Sequence, residues 1–150
     1  MTILIGILCK DTIVLASDSQ TSYEVSKRRD GEKIRVVRFK DNNALVAQSG
    51  CSDTSDRIID VFSRLTPKIK LDDPETAIKL MQLAMVSVRE ELRRQHLNCG
   101  AEELRQVFIN EGLDCDLMMA HHCNGKPFCI ALISNQDAPD QARQSMSLLE

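Results

Sequence analysis

The chain opens with two short segments that are apolar on consecutive residues rather than on alternate ones. Residues 2–9 and 12–17 are rich in Ile, Leu and Val, and the polar pair Lys10-Asp11 separates them. A strand that is apolar on both faces is typical of a sheet that is covered on both sides. The sequence therefore predicts an antiparallel hairpin inside a layered fold, with protein packed against each of its faces.

Two further hairpins are predicted, one before and one after a helical stretch. Residues 34–48 form two apolar segments around Asp41-Asn42-Asn43, whose side chains suit a turn. Residues 117–133 form two more around Asn124-Gly125, a pair typical of a tight two-residue turn. The polar stretch at 19–30 is expected to be a solvated loop, including its basic run Lys27-Arg28-Arg29.

Helical spacing of apolar residues appears between the second and third hairpins. It covers residues 53–67 and 74–92, and Asp73-Pro74 supplies a cap and a first helical residue. Apolar residues surround most of the second helix, which predicts burial on more than one side, either within the domain or against a neighbouring subunit. A shorter helix is expected at 102–109. The order of strands, helices and strands predicts a single α+β domain over residues 1–150.

Composition argues against several classes of protein. The net charge is −3, so the chain lacks the basic excess of a typical nucleic-acid-binding domain. No apolar run approaches the length of a membrane span, and the apolar N-terminus lacks the basic residues and cleavage site of a signal peptide. The six cysteines include no CxxC pair, which favours reduced thiols in the cytoplasm over a disulfide framework.

Strand pairing predicts where reactive side chains converge. Removal of Met1 would give Thr2 a hydroxyl and a free α-amine on one residue, and that amine can act as the base for the hydroxyl. In the first hairpin Asp18 is expected opposite residue 3 or 4, close to Thr2. In the second, Lys33 is expected near Ser49-Gly50. If these hairpin ends meet, a nucleophile, an ion pair and backbone N–H groups form an acyl-transfer site.

Several segments resemble the β-type subunits of proteasomes. Thr2-Ile3-Leu4-Ile5-Gly6-Ile7, Cys9-Lys10-Asp11 and Val14-Leu15-Ala16-Ser17-Asp18-Ser19 are similar to the start of that family. Asp30-Gly31-Glu32-Lys33-Ile34 resembles the loop before its third strand. Gln48-Ser49-Gly50-Cys51-Ser52-Asp53 resembles its turn into the first helix. The motifs cover residues 2–65, and the later elements agree only in their order.

The resemblance implies the fold of N-terminal-nucleophile hydrolases, an αββα sandwich of antiparallel sheets flanked by helices. It also implies a threonine peptidase that cleaves peptides or unfolded proteins inside a homo-oligomeric ring, without a cofactor or metal. An ATPase unfoldase is a further candidate partner. By the same resemblance Thr2 is the nucleophile, Asp18 and Lys33 are its supporting ion pair, and the backbone at Ala47 donates to the oxyanion. The Met-Thr start resembles the bacterial proteasome-like peptidases more than it resembles the subunits that carry a propeptide.

The chain departs from the family pattern in two places. Ala47 stands where the family often has Gly, a change that leaves the backbone N–H in place. The family continues beyond the third hairpin with a Gly/Ser-rich turn, a helix pair and closing strands, which are not found in this sequence. We expect either that the sequence is a fragment or that the family fold is truncated. Two alternatives follow from the resemblance: a catalytically inert ring or scaffold subunit, and an amidase that acts on a small amide.

A second group of candidate residues carries thiols and imidazoles. It comprises Cys115, His121, His122, Cys123 and Cys129. Zinc needs about four converging ligands. His121 and His122 should lie on opposite faces of one strand, because neighbouring residues of a strand alternate. Only two ligands would then share a face, which favours buried core residues over a metal site.

Overall fold

The computed structural model of the protein describes residues 3–18, 21–22, 27–28, 32–95, 103, 113–123 and 125–134. This part of the chain is an α+β structure of antiparallel sheets and helices, as the sequence predicts. In chain order its elements are β1 (Leu4–Leu8), β2 (Ile13–Ser17), β3 (Thr21–Ser22), β4 (Lys27–Arg28), β5 (Ile34–Arg38), β6 (Asn43–Gly50), α1 (Ser52–Leu65), α2 (Pro74–Gln95), β7 (Cys115–Cys123) and β8 (Lys126–Ser134).

The three predicted hairpins are confirmed. β1 pairs with β2, and the larger sheet has the order β5-β6-β7-β8 with every neighbouring pair antiparallel. The turn after β7 places Cys123 opposite Lys126, as expected for the Asn-Gly turn. Since β6 and β7 also pair, the second and third hairpins form one continuous sheet.

The loop predicted at residues 19–30 contains a short ribbon instead. β3 and β4 form a two-residue antiparallel ladder, in which Thr21 is opposite Arg28. Polar composition hides such a ladder, because two residues give no readable alternation of polar and apolar side chains. The rest of the basic run, Arg29, lies outside the described residues.

The two described helices begin differently. The carboxylate of Asp73 accepts hydrogen bonds from the backbone N–H and the hydroxyl of Thr76, both at 2.7 Å, which confirms the predicted cap of α2. Cys51 precedes α1 and gives no side-chain cap. The helix predicted at 102–109 falls outside the described residues except for Glu103, which is helical.

The apolar core lies between the helices and one face of the four-stranded sheet. Val37, Val46 and Leu117 from the sheet are buried in it. The rings of Phe39 and Phe62 meet edge to face at 5.8 Å, an arrangement that aromatic pairs prefer. The remaining buried members come mainly from the inner faces of the helices: Ile58, Ile59, Leu71, Ala77, Ile78, Met81, Ala84, Val88 and Leu92.

The β1–β2 sheet contacts the strands of the larger sheet. On β6, Val46 and its face neighbours point to the helices, whereas Ala47 points the other way and is fully buried. The outward face of β1–β2 carries Ile5, Ile7 and Val14, which are 46–50% exposed. The prediction that both faces of this hairpin are covered therefore does not hold within the described residues.

One side of α2 also stays open. Leu83 and Val86 are exposed, so the described residues cover only part of the apolar surface that the sequence predicts to be buried, either within the domain or against a neighbouring subunit. The described residues contain no helix with both the length and the apolar character needed to cross a bilayer.

Candidate active site

The N-terminal end of β1 is held by Asp18, the residue that follows β2. The carboxylate of Asp18 accepts a hydrogen bond from the backbone N–H of Ile3 at 3.0 Å. In return, the Asp18 N–H donates to the Ile3 carbonyl at 3.3 Å. The predicted position of Asp18 opposite residue 3 or 4 is thereby confirmed. Thr2, the predicted nucleophile, lies outside the described residues and is joined covalently to the anchored Ile3.

Lys33 reaches the same carboxylate from the other sheet. Its Nζ lies 3.2 Å from Oδ1 and 3.1 Å from Oδ2 of Asp18. The Lys33 side chain is only 8% exposed and that of Asp18 is 30% exposed. An ammonium removed from water needs a charged or strongly polar partner, so this ion pair fixes where the Lys33 charge lies. The structure thus brings together two of the predicted site residues beside residue 3.

Lys33 lies one position before β5 and opposite Gln48. The Gln48 N–H donates to the Lys33 carbonyl at 2.9 Å. The prediction that Lys33 lies near Ser49-Gly50 rests on a turn centred on Asn42. The Phe39 N–H bonds the Asn42 carbonyl at 2.8 Å, which centres the turn on Lys40-Asp41. Because this centre lies earlier in the chain, the register shifts and Lys33 lies opposite Gln48.

The register also determines where the backbone N–H groups of β6 point. Successive N–H groups of a strand point to opposite sides. Because the Gln48 N–H points to β5, the Ala47 N–H points to β7, where Ala47 is paired with Met118. Two residues beyond Gln48, the Gly50 N–H points again to the β5 side, past the first residue of that strand. Gly50 is therefore better oriented than Ala47 to donate to an oxyanion near Lys33.

Gly50 has a backbone conformation that favours glycine. Its φ is +86°, in the left-handed region. The next residue, Cys51, donates its N–H to the Asp114 carbonyl at 2.8 Å, which holds the strand end against β7. The sequence shows that residue 50 is a glycine, but it indicates neither the positive φ nor the hydrogen bond from Cys51 to Asp114.

A polar cluster behind the ion pair was not anticipated from the sequence. The Gln48 side chain is 94% buried, and its Nε2 donates to Asp56 of α1 at 3.0 Å. Arg35 donates to Asp56 at 2.8 Å and to Asp60 at 3.4 Å. The spacing of Asp56 and Asp60 places both carboxylates on one face of a helix and could have suggested a cationic partner. Nothing in the sequence singles out Gln48.

Among the described thiols and imidazoles of this group, Cys115, His121 and Cys123 are buried in the fold. His121 is buried and His122 is exposed, so they lie on opposite faces as predicted. Burial lowers the pKa of His121 and raises the pKa of Cys115. The Cys123 thiol donates to the carbonyl of Asp72. Within the described residues no three His, Cys, Asp or Glu side chains are arranged to hold a metal ion, and the Cys129 side chain is not among those described.

No family model, no curated protein and no solved structure matches the chain. The geometry around Asp18 is therefore the basis for a functional proposal.

Proposed function

We propose that the protein is an N-terminal-nucleophile hydrolase that cleaves peptide bonds through Thr2. The observation that carries this proposal is the Asp18 carboxylate, which binds both the Ile3 N–H and the Lys33 ammonium. A buried lysine paired with a partly exposed carboxylate that also holds the start of β1 is an unusual use of charge in a structural hairpin. Charge pairs of this kind occur at functional sites as well as in structural networks.

The chemistry is acyl transfer. The Thr2 hydroxyl oxygen attacks the carbonyl carbon of the peptide bond, and its proton passes to the Thr2 α-amine. The oxygen of the tetrahedral intermediate accepts a hydrogen bond from the Gly50 N–H. Collapse of the intermediate breaks the C–N bond, and the protonated α-amine returns its proton to the leaving amine. Water then hydrolyses the ester on Thr2 by the same steps.

Lys33 and Asp18 prepare the terminus for this reaction. A nearby ammonium favours the neutral form of the Thr2 amine, whose ordinary pKa is about 7.7–8.0. A larger neutral fraction provides more base at neutral pH. Asp18 binds the Lys33 ammonium and the Ile3 N–H, so it holds the charge beside the residue that follows Thr2.

The finer features of the resemblance belong to the same proposal. The helices and the two stacked sheets correspond to three layers of an αββα sandwich, and the exposed outer face of β1–β2 is where the fourth layer belongs. We propose a cytoplasmic, ring-shaped homo-oligomer that acts on peptides or unfolded proteins. An ATPase unfoldase is the partner that such a closed chamber would need for folded substrates.

The test is covalent capture at the terminus. A peptide epoxyketone forms one ring with a hydroxyl and an amine on the same residue, so we expect one adduct per chain, located on Thr2 by mass spectrometry. Thr2→Ser should keep the adduct because it keeps both groups. Thr2→Ala should lose it.

The sharpest control leaves the hydroxyl in place and removes the base. A non-cleavable residue before Thr2 turns its amine into an amide, which cannot accept a proton near neutral pH. We expect this variant to lose both the adduct and peptide hydrolysis. Hydrolysis at the untagged rate would exclude Thr2 as the nucleophile, and a purified chain that retains Met1 would favour the inert ring subunit.

A further inference from the structure

The polar cluster behind the ion pair connects α1 to the terminus through an unbroken series of contacts. Asp56 on α1 accepts from the Gln48 side chain at 3.0 Å, and the Gln48 N–H donates to the Lys33 carbonyl at 2.9 Å. Lys33 then binds Asp18, and Asp18 binds the Ile3 N–H. Each step is a hydrogen bond or ion pair between adjacent elements.

Gln48 lowers the stability of the fold at its position. Its side chain is 94% buried, and its Oε1 receives no hydrogen bond within the described part of the chain. An unpaired buried amide oxygen costs about 1–3 kcal/mol. Turning the amide over would bring Oε1 against the Asp56 carboxylate, so the observed orientation is the better of the two. An apolar side chain of the same size would avoid this cost.

Packing therefore does not explain why an amide stands here. Polar groups that lower stability are retained mainly at functional sites. Asp56 does not require Gln48 either, because Arg35 donates to it at 2.8 Å. Gln48 connects α1 to Lys33, because its side chain donates to Asp56 and its backbone N–H donates to the Lys33 carbonyl.

We propose that Gln48 is a positioning residue for the Lys33–Asp18 ion pair. By tying β6 to Asp56, its side chain fixes the backbone N–H that holds the Lys33 carbonyl, and thereby the reach of the Lys33 ammonium to Asp18. Its value for catalysis rests on the proposed function, whereas its effect on the ion pair does not.

The test replaces the amide without disturbing the volume of the core. In Gln48→Met the bond to Asp56 is lost and the unpaired oxygen is removed, so the free energy of unfolding should stay the same or rise. The Ile3 N–H, released as Asp18 loosens, should exchange with solvent about tenfold faster. The Cys9 N–H, which bonds the Thr12 carbonyl at 2.9 Å at the far end of the same hairpin, is the internal control and should not change.

Two further variants isolate the contact with Asp56. Asp60→Asn weakens the Arg35 cluster without touching Gln48 and should leave Ile3 exchange unchanged. Gln48→Glu alone places two carboxylates together and should accelerate exchange of the Ile3 N–H. Adding Asp56→Asn to this variant restores a carboxylate–amide pair, with the carboxylate now on residue 48 and the amide on residue 56. We expect that double variant to recover slow exchange at Ile3.

Kinetics complete the test. A positioning residue should lower kcat with little change in KM, and should alter the pH profile of kcat, whereas a purely structural residue would change the amount of folded enzyme. Unchanged Ile3 exchange in Gln48→Met would overturn the positioning role whatever Thr2 does. If Ile3 exchange is faster in Gln48→Met but the wild-type chain forms no Thr2 adduct, the positioning role stands and the peptidase does not.

Discussion

The carbonyl oxygen of Asp114 occupies the space that a side chain on Gly50 would need. A Cβ built on Gly50 would collide with that oxygen and would lie 2.8 Å from the Cα of Cys115. Both obstacles are backbone atoms held in the β6–β7 ladder, and neither can rotate away. The strand end that carries the proposed oxyanion donor is thus packed directly against β7.

Substitution of Gly50 should be costly for the fold. In Gly50→Ala, the Cβ clash and the positive φ act together, and strain of this kind costs about 1–3 kcal/mol. Urea denaturation would measure the loss of stability. Gly125→Ala is the matched control, because that glycine also has a positive φ but open space around its Cβ position. Equal losses in the two variants would show that φ alone, not the contact with Asp114, limits Gly50.

Removal of either partner of the ion pair should abolish activity, whereas only removal of Asp18 should lower stability. Lys33→Ala should abolish most peptide hydrolysis and leave the circular dichroism spectrum unchanged, because Asp18 is 30% exposed and keeps its bond to Ile3. Asp18→Asn should also inactivate the enzyme and cost about 3 kcal/mol, since it leaves the buried ammonium of Lys33 without its carboxylate.

A surface ion pair provides the comparison for these two variants. Arg35 and Asp60 lie 3.4 Å apart, and the Asp60 side chain is 67% exposed. Asp60→Asn should cost less than about 1 kcal/mol of unfolding free energy and leave hydrolysis intact.

Near-normal turnover in Lys33→Ala would refute the proposed role of Lys33 beside the terminus.

Local rules predicted the elements well because each one acts within a few residues. The Asn-Gly turn set the pairing of Cys123 with Lys126, and Asp73 before Pro74 marked the start of α2. The position of Asp18 beside Ile3 followed from a single short turn. Errors in such predictions cannot grow, since little chain separates the two residues.

Contacts between elements could not be predicted in the same way. A small shift in one turn moved Lys33 to Gln48 and directed the Ala47 N–H into the sheet. The contact of Gln48 with Asp56 depends on how α1 lies across β6, which no periodicity in either segment encodes. Leu83 is exposed in the described part of the chain, and an apolar helix face does not by itself reveal whether the domain or a neighbouring subunit covers it.

His121 should make stability depend on pH. Burial lowers its pKa below the ordinary value of 6.5, so the unfolded chain binds the proton more readily than the folded one. Its contribution is fully present above pH 6.5 and is lost as the pH falls toward its folded-state pKa. Thermal unfolding at pH 7.5 and at acid pH should therefore differ less in His121→Leu than in the wild type. The exposed His122, changed to Gln, should leave the difference as it is; an effect there equal to that of His121→Leu would contradict this assignment.

Assembly should depend on the open side of α2. The proposed ring requires about six copies or more, and Leu83 and Val86 offer an uncovered apolar surface on that helix. Light scattering at micromolar concentration should report an oligomer for the wild type and a smaller species for Leu83→Glu. Ile7→Glu places the same charge on the exposed face of β1 and should leave the assembly intact. A wild-type monomer would remove the ring from the proposal.

The Asp18 carboxylate is shared between two sheets, because it binds the Ile3 N–H at the start of the first hairpin and the Lys33 ammonium just before β5. A change at Asp18 therefore loosens two attachments together. The start of β1 and the start of β5 should lose their protection from solvent exchange as one cooperative unit.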